Sequence, residues 1–235
     1  MLLQADFRSI YYSPKTPILE NVVFTIEEGQ WIGLLGANGS GKSTTIKRLL
    51  GLHEGSDGSL HQRDGLRIGY IPERPIVYDT LTFKEHLELC AASFELNAWD
   101  TSIDELIRRF EMEEALHRFP NEFSKGMQQK LMIILAMLPQ PDLLIVDEPF
   151  MGLDPFANNA LLELLTEEVA NGRSVLMCTH LVDIAEKYCD SFILLGQNKM
   201  LAEGPLDELQ RVANLPDGSL IDCFQTLHQT GRKDK

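Results

Sequence analysis

Apolar positions in this chain follow a period of two in some stretches and a helical period in others, and the two alternate. From Leu2 to Ile10 and from Val22 to Ile26, apolar and polar residues alternate as in strands with one buried face. Between them Ser13-Pro14-Lys15-Thr16-Pro17 predicts a turn. Trp31 to Leu35 is apolar nearly throughout, which predicts a strand covered on both faces. A glycine-rich turn follows, and Thr44 to Leu50 carries Ile46, Leu49 and Leu50 at helical spacing. From about Phe83 to Leu138 the chain is charged, helical in pattern and almost free of Gly and Pro until Pro120. Leu143 to Val146 and Ser174 to Met177 then read as buried strands on either side of a helix at Ala157 to Ala170, a βαβ unit. Phe192 to Leu195 and Met200 to Glu203, joined by Gly196-Gln197-Asn198-Lys199, predict a hairpin. Gly204-Pro205 opens a helix with Asp207 and Glu208 in its first turn, and the tail beyond Pro216 is weakly specified. The pattern as a whole predicts an α/β core interrupted by a mainly helical insertion, its two halves sharing one sheet.

Charge narrows the partners. Of 235 residues, 35 are acidic and 21 basic, a formal charge of −14. Such a balance argues against a surface for duplex nucleic acid, which needs Lys and Arg to displace counterions. The 44% hydrophobic fraction excludes a mostly disordered chain. The longest apolar run, Leu131 to Leu138, stops at Pro139. It is far short of the roughly 18 to 20 residues that span a bilayer. Asp6 and Arg8 interrupt Met1 to Ile10, so no signal-peptide core is expected there. Cys90, Cys178, Cys189 and Cys223 form no Cys-x-x-Cys pair, and free thiols are the expectation.

The chemistry starts at Gly36-Ala37-Asn38-Gly39-Ser40-Gly41-Lys42-Ser43, which matches G-x-x-x-x-G-K-[ST] between a predicted strand and a predicted helix. Glycines let backbone N–H groups converge on an anion, and the helix N-terminus adds partial positive charge. Lys42 can reach β- and γ-phosphates, and the Ser43 hydroxyl can ligate Mg²⁺. The expected nucleotide contacts run through Asn38, Gly39, Ser40, Gly41, Lys42, Ser43 and Thr44. No G-x-G-x-x-G fingerprint competes: Thr44 stands where a third glycine would follow Gly39 and Gly41. A second signal is Leu143-Leu144-Ile145-Val146 running into Asp147-Glu148-Pro149. A buried strand that delivers two carboxylates to a sheet edge is costly unless they meet a cation or proton chemistry. Asp147 is placed to hold Mg²⁺, directly or through water, and Glu148 to act as general base on the attacking water.

Further motifs narrow the class. Phe123-Ser124-Lys125-Gly126-Met127-Gln128-Gln129-Lys130 resembles the LSGGQ signature of ABC transporter ATPases, with Ser124 and Gly126 matching. Gly152-Leu153-Asp154-Pro155 resembles their D-loop, and Thr179-His180 their switch-histidine loop. Their order and spacing resemble that family across nearly the whole chain. The resemblance implies a P-loop NTPase fold, with a RecA-like core, an N-terminal antiparallel β subdomain and an inserted helical subdomain. It implies a single ATPase domain over 1–235: core at 1–75 and 141–213, helical subdomain at 76–140, tail at 214–235. It further implies that His180 contacts the γ-phosphate and Tyr12, rather than Tyr11, stacks on adenine. Ser124, Lys125, Gly126, Met127 and Asp154 would face the nucleotide of an opposite subunit. ATP and Mg²⁺ are the implied ligands. A homodimer or pseudo-symmetric dimer, docked on a separate integral-membrane permease at the cytoplasmic face of the plasma membrane, is the implied assembly.

Two positions depart from the family pattern. Glu73 stands where the glutamine of the Q-loop is usual, bringing a charge toward the metal beside Ser43 and Asp147. Lys125 replaces the first signature glycine. Together Tyr70-Ile71-Pro72-Glu73-Arg74-Pro75, the signature and Tyr188-Cys189-Asp190-Ser191-Phe192 resemble the ATPase of Ecs-type bacterial ABC exporters. The expected function is therefore ATP hydrolysis powering an exporter. The alternatives are a soluble ABC ATPase acting on ribosomes or DNA, which −14 disfavours, and a P-loop kinase, in which a signature and D-loop have no role.

Overall fold

The computed structural model describes residues 1–13, 16–96 and 99–230. Among these residues nine strands form one sheet: β1 (Leu3–Ser13), β2 (Thr16–Ile26), β3 (Trp31–Gly36), β4 (Ser56–Gln62), β5 (Ile68–Ile71), β6 (Leu143–Asp147), β7 (Ser174–Cys178), β8 (Ser191–Gly196) and β9 (Lys199–Gly204). Their order is β4-β1-β2-β9-β8-β3-β7-β6-β5. From β8 to β5 neighbours run parallel, whereas β4-β1-β2 and β8-β9 are antiparallel. The helices among the described residues are α1 (Lys42–Leu49), α2 (Phe83–Ser93), α3 (Thr101–Arg109), α4 (Lys125–Met137), α5 (Pro155–Ala170), α6 (Val182–Tyr188), α7 (Leu206–Ala213) and α8 (Leu220–Thr230).

Side chains alternate across a strand, so each central strand feeds two cores. Leu144 and Val146 of β6 join a cluster with α2 to α5, while Leu143 and Ile145 face a second cluster with α1, β1 and β2. That is why the parallel strands read as continuous apolar runs. β1 has one buried face, and Leu3, Ala5, Phe7 and Ile10 alternate with exposed or half-exposed neighbours. The β8–β9 connection puts Gln197 and Asn198 at φ of 52° and 62°, the left-handed pair of a two-residue hairpin that matches strand twist.

Three features differ from the sequence pattern. The helical run from Phe83 to Leu138 is three helices with short 3₁₀ turns at Glu113–Ala115 and Pro120–Glu122. Each helix starts on its own cap: Thr82 and Glu85 in a reciprocal capping box, Asp100, and Ser124. The segment beyond Pro216 contains α8, fixed by buried Leu220 and Cys223 against its neighbours. β4 and α6 are additional elements. The predicted turn at Ser13–Pro17 falls partly on residues 14 and 15, outside the described residues, as do 231–235 of the tail. Among the described residues no helix is long and apolar enough to cross a membrane.

Candidate active site

The site is assembled at the carboxyl ends of β3, β6 and β7, the edge at which open α/β sheets bind ligands. β3 ends at Gly36 and the loop enters α1 through Gly41, whose φ is +101°. A Cβ on Gly41 would lie 2.5 Å from the Leu19 side chain, so conformation and space both require glycine. No side chain caps α1, leaving its first-turn N–H groups for an anion. Lys42 is buried, and its ammonium donates to the Gly36 carbonyl at 2.7 Å, which holds it over the loop.

Asp147 ends β6 directly beside Cys178 of β7. It is 4% exposed, and its Oδ1 has no hydrogen-bond partner among the described residues. Burial, reinforced by the charges of Glu73 and Glu148, pushes its carboxyl above the usual range, against the Cys178 thiol and Lys42. Behind it Tyr70 is pushed up to about 12 by burial and then by the Asp147 charge. An orphaned, buried carboxylate oxygen of this kind fits a divalent cation. Among the described residues no three His, Cys, Asp or Glu side chains form a metal cage. A cation here would therefore draw on Asp147, the Ser43 hydroxyl and phosphate oxygens, the mode that suits Mg²⁺.

Glu148 follows at φ 47°, a left-handed conformation that costs a glutamate about 1–3 kcal/mol and concentrates at functional positions. Its N–H donates to the Cys178 carbonyl at 2.9 Å, which fixes the bend. Its Oε2 accepts from His180 Nδ1 at 2.7 Å and from the His180 backbone N–H at 3.3 Å. A carboxylate only accepts, so Nδ1 carries the proton. Glu148 is thus oriented by the loop after β7 and not by its own strand.

A cavity of about 710 Å³ joins these groups. It is lined by Tyr12, Asn38, Gly39, Ser40, Gly41, Lys42, Ser43, Thr44, Glu73, Asp147, Glu148 and His180. Tyr11 is not among its lining residues; Tyr12 is. Ile18 and Met151 also line it, and no sequence motif marks either. The loop carrying Glu73 is tied down where Gln129 of α4 donates to the Pro72 carbonyl at 3.2 Å.

Ser124, Lys125, Gly126, Met127 and Asp154 lie outside this cavity. Ser124 Oγ accepts from the Met127 N–H at 3.2 Å and caps α4. Asp154 caps α5, accepting from Phe156 and Ala157 N–H groups at 2.9 Å each. A Cβ on Gly126 would lie 2.7 Å from the Gly152 carbonyl, so the two loops pack backbone to backbone.

A phosphate-cradling loop, a buried carboxylate at a strand end and a histidine-held glutamate, all on one parallel sheet edge, define a P-loop nucleoside triphosphatase. Residues 19–151 match the family described as ABC transporter. The chain is 45% identical over 225 residues to the ABC-type transporter ATP-binding protein EcsA of Bacillus subtilis, covering 91% of each. It also matches a solved structure of an ATP binding subunit of an ABC transporter, with TM-score 0.89, 40% identity and coverage of 97% of this chain and 99% of that one. A third likeness shares the fold at TM-score 0.75 and 23% identity, covering 88% of this chain and 99% of that one. It is a dimeric ATP-binding cassette in a post-hydrolysis state, bound to ADP and Pi. The chain belongs to the ABC transporter ATP-binding family and is an ATPase subunit of that class.

Proposed function

We propose that this subunit hydrolyses ATP in a head-to-tail pair and powers a separate integral-membrane permease in the export direction, from the cytoplasmic face of the plasma membrane. The observation that carries the chemistry is the 2.7 Å contact from His180 Nδ1 to Glu148 in the cavity that also holds Lys42, Ser43 and Asp147. Glu148 accepts the proton of the attacking water while His180 holds its carboxylate toward the phosphates. The α1 N–H groups and Lys42 take up phosphate charge. Ser43 and Asp147 would hold Mg²⁺, with Glu73 in the same cavity, and the ion would supply charge neutralisation at the phosphate oxygens. Tyr12 stacks on the base.

Ser124, Lys125, Gly126, Met127 and Asp154 stand outside the cavity lining, at the starts of α4 and α5, where Gly126 packs on Gly152. That separation supports their contribution to the partner's nucleotide, and the dimeric state of the structurally similar cassette supports the pairing. The exporter reading is supported by the likeness to Ecs-type sequences. The missing membrane-spanning helix among the described residues is consistent with a permease on another chain. Glu148→Gln tests the chemistry. Turnover is expected to fall at least about a hundredfold, with ATP binding retained and an ATP-dependent dimer visible by sedimentation. Unchanged turnover would remove Glu148 as the base.

A further inference from the structure

We propose that His53 is a positioning residue for ATP: it sets the orientation of Tyr12. The proposal rests on the reading of Tyr12 as the platform for the base. Tyr12 is 67% exposed at the edge of the cavity. A ring that exposed loses rotamer freedom when it stacks on a ligand, and whatever orders it beforehand lowers that cost. The ring that meets it is His53, with centroids 4.8 Å apart and planes at 69°, an edge-to-face arrangement.

His53 is itself held. Its Nε2 lies 3.0 Å from the Tyr11 carbonyl, which can only accept, so this nitrogen donates. The segment around it is locked to β1 as well. The Tyr11 N–H donates to the Gly55 carbonyl at 2.8 Å, and a Cβ on Gly55 would collide with the Tyr11 carbonyl. Ser9 Oγ donates to Asp57 at 3.0 Å. His53 therefore buttresses Tyr12 from a segment pinned to β1 by these contacts. This segment directly follows α1, whose other end carries Lys42 and Ser43. An eight-residue helix spans about 12 Å. One helix thus links the ring that meets Tyr12 to the phosphate loop.

The test is calorimetric titration of the full chain with MgATP and with Mg²⁺ tripolyphosphate, which has no base. His53→Ala is expected to weaken MgATP about fivefold and to leave tripolyphosphate unchanged. His53→Phe keeps a ring edge against Tyr12 but loses the donor to the Tyr11 carbonyl, so it is expected to bind MgATP more tightly than His53→Ala and less tightly than the original chain. Tyr12→Ala is expected to weaken MgATP at least as much. The double variant should be no weaker than Tyr12→Ala alone, because His53 acts through Tyr12. Equal losses for both ligands, no loss for MgATP, or additive losses in the double variant would each overturn the role of His53. A Tyr12→Ala protein that binds MgATP normally would remove the platform reading itself, and this assignment with it.

Discussion

Glu148 and Glu73 show how far single residues could be read before their surroundings were known. The acidic pair after an apolar strand was enough to nominate Glu148, but its left-handed backbone and its hold on His180 arise from β7, a strand far away in sequence. Glu73 was visible only as a departure. In the structure it lines the same cavity as Asp147 and raises that carboxyl further. Three carboxylates then face one buried lysine, an arrangement that favours a bound cation. Glu73→Gln is expected to keep turnover within about tenfold while raising the Mg²⁺ concentration needed for half-maximal turnover, read from ATPase rates across a Mg²⁺ titration. Complete loss of turnover would show that the carboxylate is required. Ile18 carries no signal because it sits at the start of β2, ahead of the strand that the sequence predicts from Val22, and Met151 because an apolar residue in a connecting loop has no period.

Among elements, the parallel strands and the phosphate helix were plain because burial on two faces, or a fixed glycine pattern, writes itself into the sequence. β4 was not. Its sequence, SDGSLHQ, is polar and it pairs only with β1, so main-chain bonds to a neighbour define it rather than a buried face. The insertion read as one helical zone because its breaks are caps, not Gly or Pro. Carboxylates at helix starts, in the insertion and beyond it, carry a pH dependence. Hydrogen bonds hold Glu85, Asp100, Asp154 and Asp222 below the usual carboxylate range, led at Asp154 by the Ala157 N–H and at Glu85 by the Thr82 N–H. With a lowered folded value, the unfolded chain binds protons first. The stability these groups add is present above ordinary carboxylate pKa values and is lost as pH falls through them toward the folded ones. Melting temperature is expected to drop as pH falls from about pH 5 through the ordinary carboxylate range and below it. Asp154→Asn keeps a cap without a titrating group, so it should make that drop shallower.

At the scale of the whole molecule, the charge of −14 and the phosphate site answer to different lengths. The site is built locally from Lys42, backbone N–H groups and the α1 terminus, whereas the global excess of carboxylates governs large polyanions. ATP turnover is therefore expected to be unchanged by duplex DNA or ribosomes at about 0.15 M salt, in a steady-state phosphate-release assay. Stimulation by either would revive the soluble-ATPase alternative. The topology was only half legible. The βαβ rhythm announced a parallel sheet, but one nine-stranded sheet also depends on β9 lying beside β2, a join that rests on the single registered pair Glu20 and Lys199.

The contact between Gly126 and Gly152 has one more consequence. Gly152 lies only four residues beyond Glu148, and its carbonyl leaves no room for a side chain on the second residue of α4. In a head-to-tail pair, Glu148 would work on one nucleotide while the start of α4 grips the other. A shift at the first would reach the second along a few peptide units, with no compressible side chain between them. The two halves of such a pair would then keep time with each other, as meshed gears do.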